Sequence, residues 1–518
     1  MVKVSQTGPG KATIQPSLPA WLAIPALIAA VALWRLAVAA ILPVTQDEAY
    51  YFDWARQLDW GYFDHPPGVA LLGLGTLLEP GSALAARLGG LLAGLVTLLL
   101  LANLYRHAGL TRPRDLALAL LLAVATLPGL AGGVITTPDS ALALCWALAL
   151  HEGERALAGS RRRWVTAGLA TGLGLLGKYT MVLIGPVFLL AILWSDRRAL
   201  RTPWPYLGAL AALLAFAPNI IWNAQHDWLT MRFQFGHGFS TQVGELTALA
   251  TSVAEHAGPR STAERLASLS GYLGTQIGFW GLLLIPLALA IWKGRAGARD
   301  DETGLRPAAR VLLIAATAFP LGFFALVATG SPVEANWPVM YLLAAPPLLL
   351  PWLRRVPRAT LAAAAGNLAL VSLYAIHAAT AALPLPDSQN RILRETHGFA
   401  ELADLAAGLD APVYADRYQL TAMLRFHQPG LGTSQWPGLT RPSESLRGRI
   451  APRVDPARVS GPFWLVTRFG SPPAIQGFGV ERQRTLFDCP ASPLQETNRS
   501  PCRHPLHVWQ LYRYRPGN

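Results

Sequence analysis

Ten apolar segments, too long and too closely spaced for a water-soluble core, constrain this 518-residue chain more than any other feature. They run over about 18–42, 82–105, 115–134, 139–158, 164–194, 203–222, 271–292, 310–330, 338–352 and 359–382. About 20 such residues in a helix span a hydrocarbon layer of about 30 Å. Hydrophobic types make up 52% of the chain and charged types only 14%, whereas soluble domains carry about 25% charged residues. A soluble globular enzyme is excluded, and so is a disordered chain, which needs low hydrophobicity.

The net charge of +13 does not point to nucleic acid as a partner, because the bases fall in short runs between apolar segments instead of along one face. Those runs are Arg112 and Arg114, then Arg161 to Arg163, then Arg197, Arg198 and Arg201, then Lys293, Arg295, Arg299 and Arg306, then Arg354, Arg355 and Arg358. They occupy alternate loops, and the loops between them carry Asp47, Glu48, Asp53, Asp59, Asp64, Asp139 and Glu334. The positive-inside rule puts the Arg loops in the cytoplasm and the acidic loops outside. Basic loops on both sides of 164–194 make that segment a hairpin of two short arms, its tip Gly177-Lys178-Tyr179 lying below the membrane surface. The count is then about 11 transmembrane helices, with the N-terminus inside and the C-terminus outside.

Residues 1–17 are polar, and the run 18–42 reads as a first span instead of a cleavable signal peptide. The expected units are a transmembrane domain over 1–382, with outer loops 43–81 and 223–270, and a small outer α/β domain over 383–518. In the latter, 399–409 reads as a helix, and 412–415, 463–467 and 507–514 read as strands. Cys489 and Cys502 flank a polar, Pro-containing stretch, a pair compatible with a disulfide in an oxidising compartment. Cys145 lies inside an apolar run.

The first outer loop begins Thr45-Gln46-Asp47-Glu48-Ala49-Tyr50-Tyr51-Phe52-Asp53-Trp54 and continues to Tyr62-Phe63-Asp64-His65-Pro66-Pro67. Adjacent carboxylates at a helix start can hold a divalent cation or act as a general base toward a hydroxyl. The aromatics can stack on sugar faces and fit a membrane-interface belt equally well, but a belt does not explain Asp47-Glu48. Asp139, after Thr137-Pro138, fits a helix cap as well as a second acid brought toward the first loop. Lys178 at the hairpin tip is costly within a membrane unless it faces a cavity or a partner, and a phosphate is a fitting one. Snorkelling to the interface is its alternative. His226, within Trp222-Asn223-Ala224-Gln225-His226-Asp227-Trp228, and Trp337, within Glu334-Ala335-Asn336-Trp337-Pro338, fit interfacial anchoring as well as ligand contact.

Taken together, Asp-Glu-Ala-Tyr-Tyr (47–51), Tyr-Phe-Asp-His-Pro-Pro (62–67), Thr-Pro-Asp (137–139), Gly-Lys-Tyr (177–179), Trp-Asn-Ala-Gln-His-Asp-Trp (222–228) and Asn-Trp-Pro (336–338) form a recognisable series. The series resembles the bacterial family 39 glycosyltransferases of the membrane-embedded GT-C group, whose relatives include protein O-mannosyltransferases and the lipid A aminoarabinose transferase. The resemblance runs on into Tyr414-Ala415-Asp416-Arg417-Tyr418-Gln419. It implies an α-helical integral enzyme of the bacterial inner membrane, surrounded by membrane lipids. Such an enzyme takes a sugar from a polyprenyl-phosphate-linked donor to a lipid, glycan or protein acceptor on the periplasmic face. Asp47 is then the expected catalytic carboxylate, assisted by Asp139. Lys178, with His65 or Arg232, is expected on the lipid phosphate. Glu48, Tyr51, Asp64, His226, Asn336 and Trp337 complete the expected substrate contacts. Asp64-His65 falls where some relatives carry an acid-Lys pair. Only some members depend on metal, so a divalent cation, Mg or Mn, at Asp47 and Glu48 stays open. The rival reading is a transporter or flippase of a polyprenyl-linked substrate, which would place ionisable residues at mid-membrane instead of collecting acids in outer loops.

Overall fold

The structure, a computed structural model, describes residues 22–239, 261–293, 304–331, 333–386 and 389–517. The polar stretch 1–17, residues 240–260 of the outer loop 223–270 and the bases Arg295 and Arg299 lie outside the described residues. Among the described residues five helices are long and apolar enough to cross a membrane on their own: Ala23–Ile41, Ala83–Ala108, Trp204–Gln225, Pro307–Gly330 and Pro357–Thr380. Segment 139–158 is one unbroken helix, Pro138–Leu157, and the remaining apolar segments are shorter or broken. Segment 115–134 is Pro113–Val124 followed by Leu127–Ala131, and 338–352 is a 3-10 turn, Val339–Leu343, followed by Ala345–Leu353. Segment 271–292 starts earlier, as Thr262–Gly278, and turns by 88° into Gly281–Lys293. The chain is therefore a mostly helical membrane protein with several membrane-length helices, a coarser statement than the expected 11 spans.

A break in a membrane helix frees backbone groups that lipid cannot satisfy. Asn367, buried in Pro357–Thr380, meets two such breaks at once. Its Nδ2 donates to the carbonyls of Ala125 (2.8 Å) and Trp280 (3.0 Å), and its Oδ1 accepts from the Leu282 N–H at 2.9 Å. Gly281, at φ 55°, lies so close to Asn367 that a Cβ there would collide with it.

Segment 164–194 folds back on itself. Helices Arg163–Leu175 and Ile184–Ser195 are joined through Lys178 and the 3-10 turn Tyr179–Leu183, and their far ends meet in the Arg161–Asp196 ion pair at 3.0 Å. Glycines seat this hairpin. A Cβ at Gly168 would collide with the Gly208 carbonyl, and one at Gly172 with Ala212, so Arg163–Leu175 lies backbone to backbone on Trp204–Gln225 in the manner of small-residue membrane interfaces.

After Thr380 the chain forms an α/β unit. Strands β1 (Val413–Ala415), β2 (Ser434–Gln435), β3 (Phe463–Thr467), β4 (Phe478–Asp488), β5 (Gln495–Glu496) and β6 (His507–Pro516) pair in the order β2-β1-β3-β6-β4-β5. The β1–β2 and β1–β3 pairs are parallel and the rest antiparallel. The expected helix is Phe399–Ala407 and the expected strands are β1, β3 and β6. Strand β4 escaped prediction because its first half is exposed on both faces, which removes the alternation that marks a half-buried strand. Cys489 and Cys502 are joined as a disulfide and Cys145 is free. This unit shares a core with the first loop: Tyr50, Phe52 and Trp54 pack with Leu420, Met423, Phe426 and Trp509. Asp53 pairs with Arg425 at 2.9 Å across the same junction.

Candidate active site

The short helix Gln46–Trp54 begins with a capping box. Thr45 Oγ1 accepts from the Glu48 N–H at 3.3 Å, and Glu48 Oε2 accepts from the Thr45 N–H at 3.2 Å. The same carboxylate, fully buried, takes Arg87 Nε at 2.8 Å, Arg87 Nη2 at 2.6 Å and the Thr136 N–H at 3.0 Å. One side chain thus ties the first loop to Ala83–Ala108 and to the second loop. Glu48 is committed on both oxygens and does not line the cavity, which corrects its expected role as a substrate contact.

Asp47 projects into a cavity of about 960 Å³. It is open to the water of that cavity yet enclosed by protein, and its carboxyl is pushed up to about 6. Removal from bulk water contributes most, the carboxylates of Glu395 and Asp64 add to it, and Arg441 and Arg391 act the other way.

Asp64 is gripped from two sides. Tyr50 Oη donates to Oδ2 at 2.5 Å, and Arg441 Nη1 meets Oδ1 at 2.8 Å. The Arg441 guanidinium lies over the Tyr418 ring at 4.1 Å and the Phe233 ring at 5.2 Å. Tyr50 accepts in turn from the Glu444 N–H at 2.8 Å, and the Glu444 carboxylate accepts from the Phe63 N–H at 2.8 Å and from Arg447 at 3.1 Å. Burial pushes the Glu444 carboxyl up to about 7, with Arg447 opposing. His65 stands edge-on to Tyr51, ring centres 5.9 Å apart, and Gln234 Nε2 lies 3.4 Å from its Nδ1.

Asp139, in the first turn of Pro138–Leu157, faces this group across the cavity. It takes Lys178 Nζ on Oδ1 at 2.7 Å and Asn336 Nδ2 on Oδ2 at 2.6 Å. The hairpin tip has therefore brought Lys178, nearly buried, to a carboxylate partner.

The expected residues Asp47, Tyr51, Asp64, His65, Asp139, Lys178, Asn336 and Trp337 all line this one cavity. His226 and Arg232 do not. His226 stacks on Trp222, ring centres 4.1 Å apart, with Nδ1 at 2.7 Å from the Trp222 carbonyl, so it terminates its helix. The turn after it runs through Asp227 and Trp228 at positive φ and directs Arg232 to the Asp227 carbonyl at 3.4 Å. The reading missed Arg391, Arg417, Tyr418, Gln419, Thr440 and Arg441 on the cavity wall. Arg417-Tyr418-Gln419 carried a signal, since they close the last motif of the resemblance. Arg441 follows a Pro- and Gly-containing loop with no periodicity to mark it. Among the described residues no three His, Cys, Asp or Glu side chains converge as a metal cluster. Because Arg87 holds Glu48, the Asp47-Glu48 pair does not offer two carboxylates to one cation.

The helical body and the α/β unit together share their fold with a solved membrane-lipid-binding protein. The crystal structure of ArnT from Cupriavidus metallidurans bound to undecaprenyl phosphate matches them with a TM-score of 0.58 and 17% identity, over 96% of this chain and 98% of that one. Residues 64–222 match the family described as dolichyl-phosphate-mannose-protein mannosyltransferase. The lipid A galacturonosyltransferase RgtD of Rhizobium johnstonii is 29% identical over 196 residues, 36% of this chain and 40% of that protein's own length. The match thus spans well under half of this curated relative.

Proposed function

We propose that the protein transfers a sugar from a polyprenyl-phosphate-linked donor to an acceptor on the periplasmic face of the bacterial inner membrane. The observation that carries this reading is the two-natured wall of the cavity. Its lining combines the charged Asp47, Asp64, Arg441, Asp139 and Lys178 with the apolar Val182, Leu183, Phe323, Phe324 and Val327. Through Phe323 the apolar lining continues into a groove of about 630 Å³ lined by Leu190, Trp194, Ile314, Phe319 and Leu326, between Ile184–Ser195 and Pro307–Gly330. A charged head on a long hydrocarbon fits that pair of surfaces. The likeness in fold to a protein crystallised with undecaprenyl phosphate supports the same donor class.

In this reading the acceptor hydroxyl gives its proton to Asp47 as its oxygen bonds to the anomeric carbon of the sugar. The bond from that carbon to the phosphate oxygen breaks, and the electron pair leaves with the lipid phosphate. Negative charge develops there, within reach of Lys178, which exchanges Asp139 for the phosphate, and of Arg391 on the cavity wall. Asp139 and Asn336 hold the ammonium in place until then. Tyr51, Tyr418 and the Asp64–Arg441 pair form the side of the cavity that receives the sugar.

The test is mass spectrometry of envelope glycolipids and glycans from cells with and without the protein, where one species should lose one sugar unit. Identical profiles, together with no transfer by purified protein from a polyprenyl-phosphate sugar, would sink the reading. Sidedness is checked separately. Reporter fusions at Arg162 and Arg355 should read cytoplasmic and one at Gly430 periplasmic, and a cytoplasmic Gly430 would overturn the orientation.

A further inference from the structure

Asp488 ends strand β4 inside the C-terminal unit, and two imidazoles share its buried carboxylate. His397 Nδ1 lies 2.6 Å from Oδ1 and His507 Nδ1 lies 2.8 Å from Oδ2. Gly398, at φ 74°, permits this approach, because a Cβ there would press on the Asp488 carboxyl. The other ring nitrogen of His507, Nε2, lies 2.9 Å from the carbonyl oxygen of Arg394. A carboxylate and a carbonyl are both acceptors, so His507 satisfies both contacts only with a proton on each nitrogen. Its ring stacks on Trp509, centres 4.7 Å apart and planes at 17°, a face that favours a cation.

The Arg394 carbonyl has a second donor, Gln46 Nε2, at 2.9 Å. Gln46 directly precedes Asp47. Arg394 belongs to the short helix Arg391–Thr396, which places Arg391 on the cavity wall and Glu395 in the field of Asp47. One carbonyl therefore joins the start of the Asp47 helix, a helix on the cavity wall and the C-terminal sheet.

We infer that His507 is a positioning residue: doubly protonated, it clamps the Arg394 carbonyl and, through Gln46, fixes the Asp47 helix and Arg391–Thr396 against the sheet, and the clamp loosens as pH rises. The positioning of Asp47 for transfer rests on the proposed function; the clamp itself does not. Burial, with Arg468 adding to it, holds the proton affinity of His507 below its ordinary value against the pull of Asp488 and the Arg394 carbonyl, so the doubly protonated form belongs to acidic pH. His397, whose proton affinity is raised by its hydrogen bond to Asp488 and also by Glu401, against burial, competes for the same carboxylate. Loss of the Nε2 proton leaves a lone pair facing a carbonyl oxygen, so attraction becomes repulsion. The clamp is present at low pH and is lost as pH rises through the His507 titration.

Hydrogen exchange read by mass spectrometry on peptides covering 44–52 and 389–398 of the full-length protein tests the clamp without any activity. Between about pH 5.5 and about pH 8, wild-type protection, corrected for intrinsic exchange, should fall by about fivefold, the share of one ordinary hydrogen bond. H507Q carries an amide nitrogen where Nε2 stands and donates at every pH, so its protection should stay high across the range. H507N reaches only Asp488, so its protection should be low throughout. Wild-type protection that does not change with pH would overturn the clamp, as would variants that both reproduce the wild-type profile, and the wild-type profile decides alone if a variant fails to fold. If exchange follows this pattern while transfer is absent at every pH, the functional reading fails and the clamp survives.

Discussion

Both ends of the helical body hold carboxylates away from bulk water, but the two ends differ in how those carboxylates are paired. At the end with the Arg-rich loops, Glu152 takes Arg163 at 2.8 Å and His151 at 2.9 Å, and Glu154 pairs with Arg306. Each carboxylate has a guanidinium of its own, the carboxylate buried and the guanidinium partly exposed. At the other end the Glu48–Arg87 pair fastens the loops to the helices, and the C-terminal unit roofs the space that remains. Among the described residues Asp47 makes no ion pair, and its carboxyl is raised by its surroundings. A charge matched by its neighbours holds a fold together, whereas one enclosed without a counter-ion in a cleft is available for chemistry.

The largest expected effect breaks this comparison directly. Asp47→Asn keeps shape but removes charge and proton affinity, so transfer should fall by roughly 10²–10⁴-fold, the range of general base catalysis, with the protein still folded. Glu152→Gln at the opposite end should leave turnover per folded molecule unchanged and lower the unfolding midpoint instead. Equal losses of turnover in both variants, measured with purified protein and a polyprenyl-phosphate sugar, would show that the two ends do not differ in kind. Next in size is Glu48→Gln, which strands Arg87 in a fully buried site. Unpairing a buried ion pair costs about 3–5 kcal/mol, read by denaturation in detergent, and a cost below about 1 kcal/mol would remove Glu48 as the pin of the first loop.

The third prediction separates roof from body. The Cys489–Cys502 bridge closes a loop with a sequence separation of 13, for which chain entropy gives about 3 kcal/mol. Reduction should loosen the C-terminal unit and leave the membrane helices intact. A thiol count on unfolded, unreduced protein should find Cys145 alone, and three thiols would refute the bridge.

The helical body was largely legible because apolar length and the placement of Arg depend on the membrane, a solvent whose demands are local in sequence. The hairpin at Lys178 came from the same logic, and the Arg161–Asp196 contact shows the fold-back. The first-loop acids were legible as a group, but their division of labour was not. Asp47 and Glu48 are neighbours in sequence, and only Arg87 and the Thr136 N–H decide which of them is consumed. Arg441 and Arg391 could not be found because they reach the cavity through the docking of a unit whose core is shared with the first loop, a long-range event that no local pattern records. The breaks stitched by Asn367 were hidden for a similar reason: one buried amide satisfies carbonyls far apart in the chain.

The smallest effect sharpens the comparison most, because it reads the environment of Asp47 alone. Its carboxyl lies near 6 against an ordinary 3.8, and this has two consequences of opposite sign. The base must be ionised, so transfer should rise with pH along a limb centred near 6. The folded state, however, binds this proton more tightly than the unfolded one. The contribution of Asp47 to stability is therefore fully present below 3.8 and is lost as pH rises through about 6. Arg391→Gln removes a cation that holds the carboxyl down, so the limb should move to higher pH. Glu395→Gln removes an anion that holds it up, so the limb should move to lower pH. Arg391 is largely exposed, so its shift should be a few tenths of a unit, about the scale of a screened surface charge. Arg163→Gln at the opposite end should not move the limb. Transfer rates against pH for the three variants decide the matter, and a limb that ignores both Arg391→Gln and Glu395→Gln belongs to some group other than Asp47.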